Sequence, residues 1–166
     1  MELEFSLTDI VEPAPAPKVA ARLIEYAPGQ KIALPPHTTH NLIEHPSFVI
    51  VPGAARYGYG LLAWQGKWLP LVDIHTLLQA DSTVERTVAP RHALVLAYQR
   101  AALQPVEYGA IALTALPQTI LVGDAAQCEL PTDSLRWPLL ALSCFLHEGQ
   151  STPILDTTQI FAAYHS

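Results

Sequence analysis

Charge is scarce in this chain: 14% of its residues are Asp, Glu, Lys or Arg, and only nine of the 166 are Lys or Arg, against fifteen acidic residues. The formal net charge is −6, and no run of basic side chains stands ready to hold a phosphate backbone, which sets nucleic-acid binding aside. No apolar stretch approaches the roughly 20 residues that a helical membrane span needs. Met1 to Phe5 lacks the basic start and continuous apolar run of a secretory signal. Cysteine is nearly absent. Two residues, Cys128 and Cys144, are too few for a disulfide scaffold, and a chain this long does not need one; they are expected to be reduced and structural, in a cytoplasmic protein. Also missing are G-x-S-x-G, H-E-x-x-H and any glycine-rich phosphate loop ahead of a helix. Nothing in the sequence asks for catalysis or for a cofactor, and the expectation is a protein that is not an enzyme.

What the chain does have is a repeated device. Gly66, Pro70, Asp73 and Leu77-Leu78 recur as Gly149, Pro153, Asp156 and Ile160-Phe161. Subtracting 66 from 149 gives 83, half the chain length, and the other anchors share that offset without a gap. Each copy reads as a hairpin turn closed by glycine, a strand entering the core, an Asp that caps a helix by accepting from free backbone N–H groups, and a short helix with an apolar face. Asp73 and Asp156 are therefore structural N-caps, a reading preferred to an acid–base pair because capping alone accounts for them.

Half of the residues are hydrophobic, enough for one core-bearing domain. Residues 1–18, acidic and then alternating Pro13 to Pro17, read as a tail, and 19–166 as the folded domain. About ten short strands, two short helices and fifteen prolines point to a mostly-β fold built of two sub-barrels. The first is expected at roughly 19–80 plus a crossover and the second at roughly 91–155, with the polar stretch ending at Pro90 as connector. His37 to His45 reads as a polar loop. Its H-x2-H-x4-H spacing makes His37, His40 and His45 candidate metal ligands. The plainer reading is a surface loop with no metal.

Aromatics say more. Tyr57, Tyr59, Trp64 and Trp68 gather around one hairpin, where alternate residues of a strand face opposite ways. One face is core. The other is either covered within a barrel or an apolar, charge-poor contact surface for a partner.

Val51-Pro52-Gly53-Ala54, followed by Tyr59-Gly60-Leu61-Leu62-Ala63-Trp64-Gln65-Gly66-Lys67-Trp68-Leu69-Pro70-Leu71-Val72-Asp73, resembles the core of the CheW-like domain. Ala33-Leu34-Pro35 matches that family's opening hairpin, and Leu146 to Phe161 its C-terminal element. The likeness covers roughly residues 19–163. It implies two intertwined, pseudo-symmetric five-stranded β-barrels with short helices around a shared core. It also implies a non-catalytic adaptor of bacterial chemotaxis, joining a methyl-accepting chemoreceptor to a CheA-like histidine kinase without inserting into the membrane. The contact residues it implies are Val51, Pro52, Gly53, Tyr59, Gly60, Gln65 and Lys67, and Gly60→Asp is expected to weaken partner binding with the fold intact. Three places depart from the family pattern. Gln65 stands for its Arg, Ala63-Trp64 for Asn-Leu, and Ala112 to Leu116 lacks its Asp; these departures favour a specialised or type IV pilus (twitching) branch. The competing class is a small-molecule or metal-binding β-barrel domain. Oligomeric state is left open.

Overall fold

The computed structural model describes residues 17–52, 58–79 and 90–162. The fold is mostly β. Its strands, in chain order, are β1 (Lys18–Ala27), β2 (Gln30–Leu34), β3 (Thr39–Glu44), β4 (Phe48–Val49), β5 (Gly58–Trp64), β6 (Lys67–Val72), β7 (His92–Tyr98), β8 (Glu107–Leu113), β9 (Gln118–Gly123), β10 (Ala141–His147) and β11 (Gln150–Leu155). Short helices follow as α1 (Ile74–Leu78), α2 (Trp137–Leu140) and α3 (Thr157–Ala162).

The strands form two sheets, ordered β10-β11-β2-β1-β9 and β4-β5-β6-β8-β7-β3. The two orders match position for position, with β4 added at one edge. Both are barrel-like halves, and the curled sheets are intertwined because each takes strands from both ends of the chain. β1 and β2 pair with β9 and β11, not with β3 to β6; β7 and β8 pair with β3 and β6. A division of the barrels at residues 19–80 and 91–155 therefore does not follow the sheets. One contains 18–34 and 118–155, the other 39–72 and 92–113. The repeat marks a unit that exchanges its first hairpin with its twin.

Side-chain alternation gives the central strands of each sheet two buried apolar faces. In β7, Ala93 and Val95 point into one barrel while Leu94, Leu96 and Tyr98 point the other way; β1 divides Ala21 from Ile24 and Tyr26 in the same manner. The second set of faces meets in one large core between the sheets. Ile24, Ile32 and Leu34 from one sheet lie there with Leu96, Ile111 and Leu113 from the other. Helical Leu77, Trp137, Ile160 and Phe161 close it. Phe161 stacks on Tyr98 at 4.7 Å between ring centroids.

The duplicated device takes the same form twice. Gln65 and Gly66 have φ of 47° and 73°, Glu148 and Gly149 of 50° and 77°, so two-residue turns with both central φ positive join β5 to β6 and β10 to β11. Asp73 accepts from the His75 backbone N–H at 3.2 Å and from the Thr76 hydroxyl at 2.6 Å, and Asp156 accepts from the Thr158 N–H at 3.0 Å. Both act as helix N-caps, an arrangement that contributes about 1 kcal/mol each.

The stretch read from sequence as a polar loop is a short 3-10 turn, Pro36–Thr38, followed by strand β3. β3 is an edge strand on which only Ile43 is drawn toward a core, so it carries little of the alternation that betrays a strand. α2 was equally hidden, being four residues long with proline in its first turn.

Gly60 is buried in β5 with φ at 141°, and a Cβ placed there would overlap the Val49 carbonyl oxygen and lie 2.8 Å from its carbon. Its missing side chain lets β4 lie down on β5. The expectation that Gly60→Asp spares the fold is thereby corrected: backbone stands where the side chain would go. Gly60→Ala is predicted to destabilise the protein by roughly 2–4 kcal/mol, from strained φ plus overpacking. Urea unfolding of the variant beside wild type measures it, and a loss below about 0.5 kcal/mol contradicts the assignment.

Candidate functional site

Pairing register sorts the β5–β6 hairpin into an inner and an outer face. Trp64, Leu62 and Leu69 point into the barrel. Ala63 stands opposite Trp68, and Leu61 opposite Val49 on the edge strand, all on the outer face. Trp68 is 59% exposed and Val49 53%. Ile50, 74% exposed, and Val51 continue this edge beyond β4. The result is an apolar strip, Val49, Leu61, Ala63 and Trp68, without a charged member.

Inside the barrel mouth the aromatics have a structural task. Trp64, Tyr108 and His40 contact one another with ring centroids 5.1–5.4 Å apart. Lys67 comes over the Tyr108 ring, its Nζ 5.3 Å from the centroid. A cation in that position is attracted by the ring's negative face, which orders an exposed lysine at the rim of the strip.

The residues expected at the contact surface thus separate. Val51, Pro52, Gln65 and Lys67 are exposed, with Gln65 at the tip of the hairpin turn. Gly60 is interior. Gly53 lies outside the described residues, as does the side chain of Tyr59. Sequence reading missed Val49, Ile50 and Trp68 as surface groups. For Trp68 the signal was present, since it stands four residues after Trp64 across a two-residue turn and so must face the opposite way.

His37, His40 and His45 are not brought together. His40 is engaged with Trp64 and Tyr108, and His37 lines a groove elsewhere. His45 sits at positive φ after β3, its N–H donating to the Arg91 carbonyl. Among the described residues no three His, Cys, Asp or Glu side chains lie close enough to hold a metal ion. The groove beside His37 has a volume of about 630 Å³. Its walls are largely apolar, with Pro35, Tyr98, Val106, Leu142 and Leu155 among them, and Asp156 and Thr157 at the start of α3 supply polar groups.

Burial pushes the Cys144 thiol up to about 12, with Cys128 beside it adding to the shift. A thiol so held stays protonated at neutral pH and does not open an attack on an outside electrophile.

Among solved structures, the scaffolding protein TtCheW from Thermoanaerobacter tengcongensis matches with a TM-score of 0.66, covering 87% of this chain and 93% of that one, at 10% sequence identity. The fold is CheW-like. No family model matches the sequence, and no curated protein does.

The two tryptophans of the hairpin should separate cleanly by stability. Trp64→Ala, which empties the barrel mouth, is predicted to cost about 3–5 kcal/mol, and Trp68→Ala less than about 1 kcal/mol. Chemical denaturation of both variants measures the difference. Equal costs would show that Trp68 is structural rather than displayed.

Proposed function

We propose that this chain, with its CheW-like fold, is a non-catalytic chemotaxis-type adaptor that couples a chemoreceptor to a CheA-like histidine kinase. The observation that carries this reading is the outer face of the β5–β6 hairpin. An exposed Trp68, flanked by Ala63, Leu61 and Val49 and free of charge, has the composition of an interface centre, and Lys67 and Gln65 supply a polar rim. The likeness to a scaffolding protein supports the same reading through the fold. Gln65, Lys67, Val51 and Pro52 are retained as contact residues, with Gly53 and Tyr59 carried from the sequence resemblance alone. Gly60 contributes by seating the edge strand.

The groove supplies a second, separate face. A largely apolar trough suits the apolar side of a helix such as a receptor tip presents, so kinase and receptor can be held at once. Gln65, in place of an arginine at the turn, favours a specialised partner, and the type IV pilus branch is the one we favour. The proposed location is the cytoplasm, at receptor arrays. No nucleic acid, cofactor or metal enters the proposal.

Ala63→Glu puts a carboxylate in the middle of the strip at a position that already faces solvent. Its affinity for a kinase regulatory domain is predicted to fall roughly tenfold or more, with an unchanged melting temperature. Leu135→Glu, at a residue 94% exposed and far along the chain, is the control and should bind as wild type does. Titration of each purified variant against the kinase domain decides. Wild-type affinity in Ala63→Glu would remove the hairpin face from the proposal.

A further inference from the structure

Cys128 and Cys144 stand where the two barrels close with different side chains. In one barrel the edge strand β4 lies against β5, pairing Phe48 with Leu62 and Val49 with Leu61. The 83-residue offset carries Leu62 to Phe145 and Leu61 to Cys144. In the other barrel the corresponding partners are Gln127, bridged antiparallel to Phe145, and Cys128, whose N–H donates to the Cys144 carbonyl at 3.0 Å. The cysteines therefore occupy the positions of Val49 and Leu61. The first copy builds the seam from two aliphatic side chains, so closure itself does not require thiols.

Both cysteines are free, and their sulfurs lie 3.4 Å apart, directly across the seam. A disulfide needs about 2.05 Å, a distance reachable by small side-chain rotations between two segments whose backbones are already hydrogen-bonded to each other. Cys144 is buried and Cys128 is half-buried, so an oxidant reaches the pair through Cys128. We infer that Cys128 and Cys144 form a reversible redox latch, a modification site at which a low-molecular-weight disulfide of the glutathione type locks the barrel seam.

The chemistry balances in two exchanges. The Cys128 sulfur, as thiolate, attacks one sulfur of oxidised glutathione, and one glutathione thiolate leaves. The Cys144 thiol gives up its proton as its sulfur attacks Cys128 Sγ, expelling the second glutathione. Two protein S–H bonds are lost and one S–S bond forms. The glutathione disulfide is reduced to two thiols, which recover the two protons. The loop closed spans residues 128 to 144, long enough for the link to restrict the unfolded chain appreciably. Cys144 lies on β10, whose Leu142 lines the groove, so the latch fixes one wall of that trough. The inference stands on the thiol pair and its twin seam, independently of the adaptor reading.

The test is to equilibrate the full-length protein in glutathione buffers of graded redox ratio, then block free thiols and measure intact mass and melting temperature. A monomer lighter by two hydrogens is expected, with an intramolecular 128–144 link in the peptide map and a melting temperature raised by roughly 5–10 °C. A double variant, Cys128→Val with Cys144→Leu, copies the other seam and should fold with a melting temperature indifferent to the buffer. Glutathione held on Cys128 without ring closure overturns the latch. So do disulfide-linked dimers, or two thiols still free in fully oxidised glutathione while the urea-unfolded protein oxidises. A melting shift that persists in the double variant overturns it as well.

Discussion

Two parallel strand contacts hold this molecule together: Leu71-Val72 of β6 beside Ala110-Ile111 of β8, and Ile154 of β11 beside Ala33 of β2. Each joins the proline-bearing strand of one repeat to the opening hairpin of the other. Because the hairpins are exchanged, neither repeat owns a complete sheet. The faces turned away from the barrel interiors then have nowhere to go but against each other. That is why the largest core lies between the sheets, and why the barrel interiors can be filled by residues as small as Ala21, Ala33, Ala93 and Ala110.

Duplication under this constraint leaves the buried half of each device fixed and its outer half free to diverge. Proline, aspartate and the two apolar helix residues coincide in both copies, and the helix residues Leu77, Leu78, Ile160 and Phe161 lie in the shared core. Outside, Ala63 corresponds to Leu146, Lys67 to Gln150 and Trp68 to Ser151. One hairpin therefore displays a tryptophan beside an ordered lysine, while the other carries an exposed Leu146 and the small or uncharged Ser151 and Gln150 at the corresponding positions. At the seams the same rule gives Val49 and Leu61 on one side and a pair of thiols on the other. A symmetric backbone thus presents unlike surfaces.

How much of this could be read from sequence follows from where the information lies. The device was legible because its turns demand glycine, its helices demand a capping oxygen, and its spacing is gap-free. The exchange was not, since pairing between β2 and β11 links residues more than a hundred positions apart and leaves no local pattern. β3 escaped because an edge strand buries little. Gly60 was read as a contact through its place in a family pattern, whereas the structure shows a backbone-on-backbone approach that only glycine permits. Trp64 and Trp68 look alike in composition and are separated only by the parity of the turn between them.

Each barrel needs strands from both halves of the chain. Cutting the gene between residues 84 and 85 and producing each piece alone, then together, tests it by circular dichroism and analytical ultracentrifugation. Neither piece alone is expected to be a folded monomer, and mixing is expected to restore a one-to-one complex with a cooperative β-sheet melting transition. A single piece that folds by itself as a monomer, with its own cooperative transition, would contradict it.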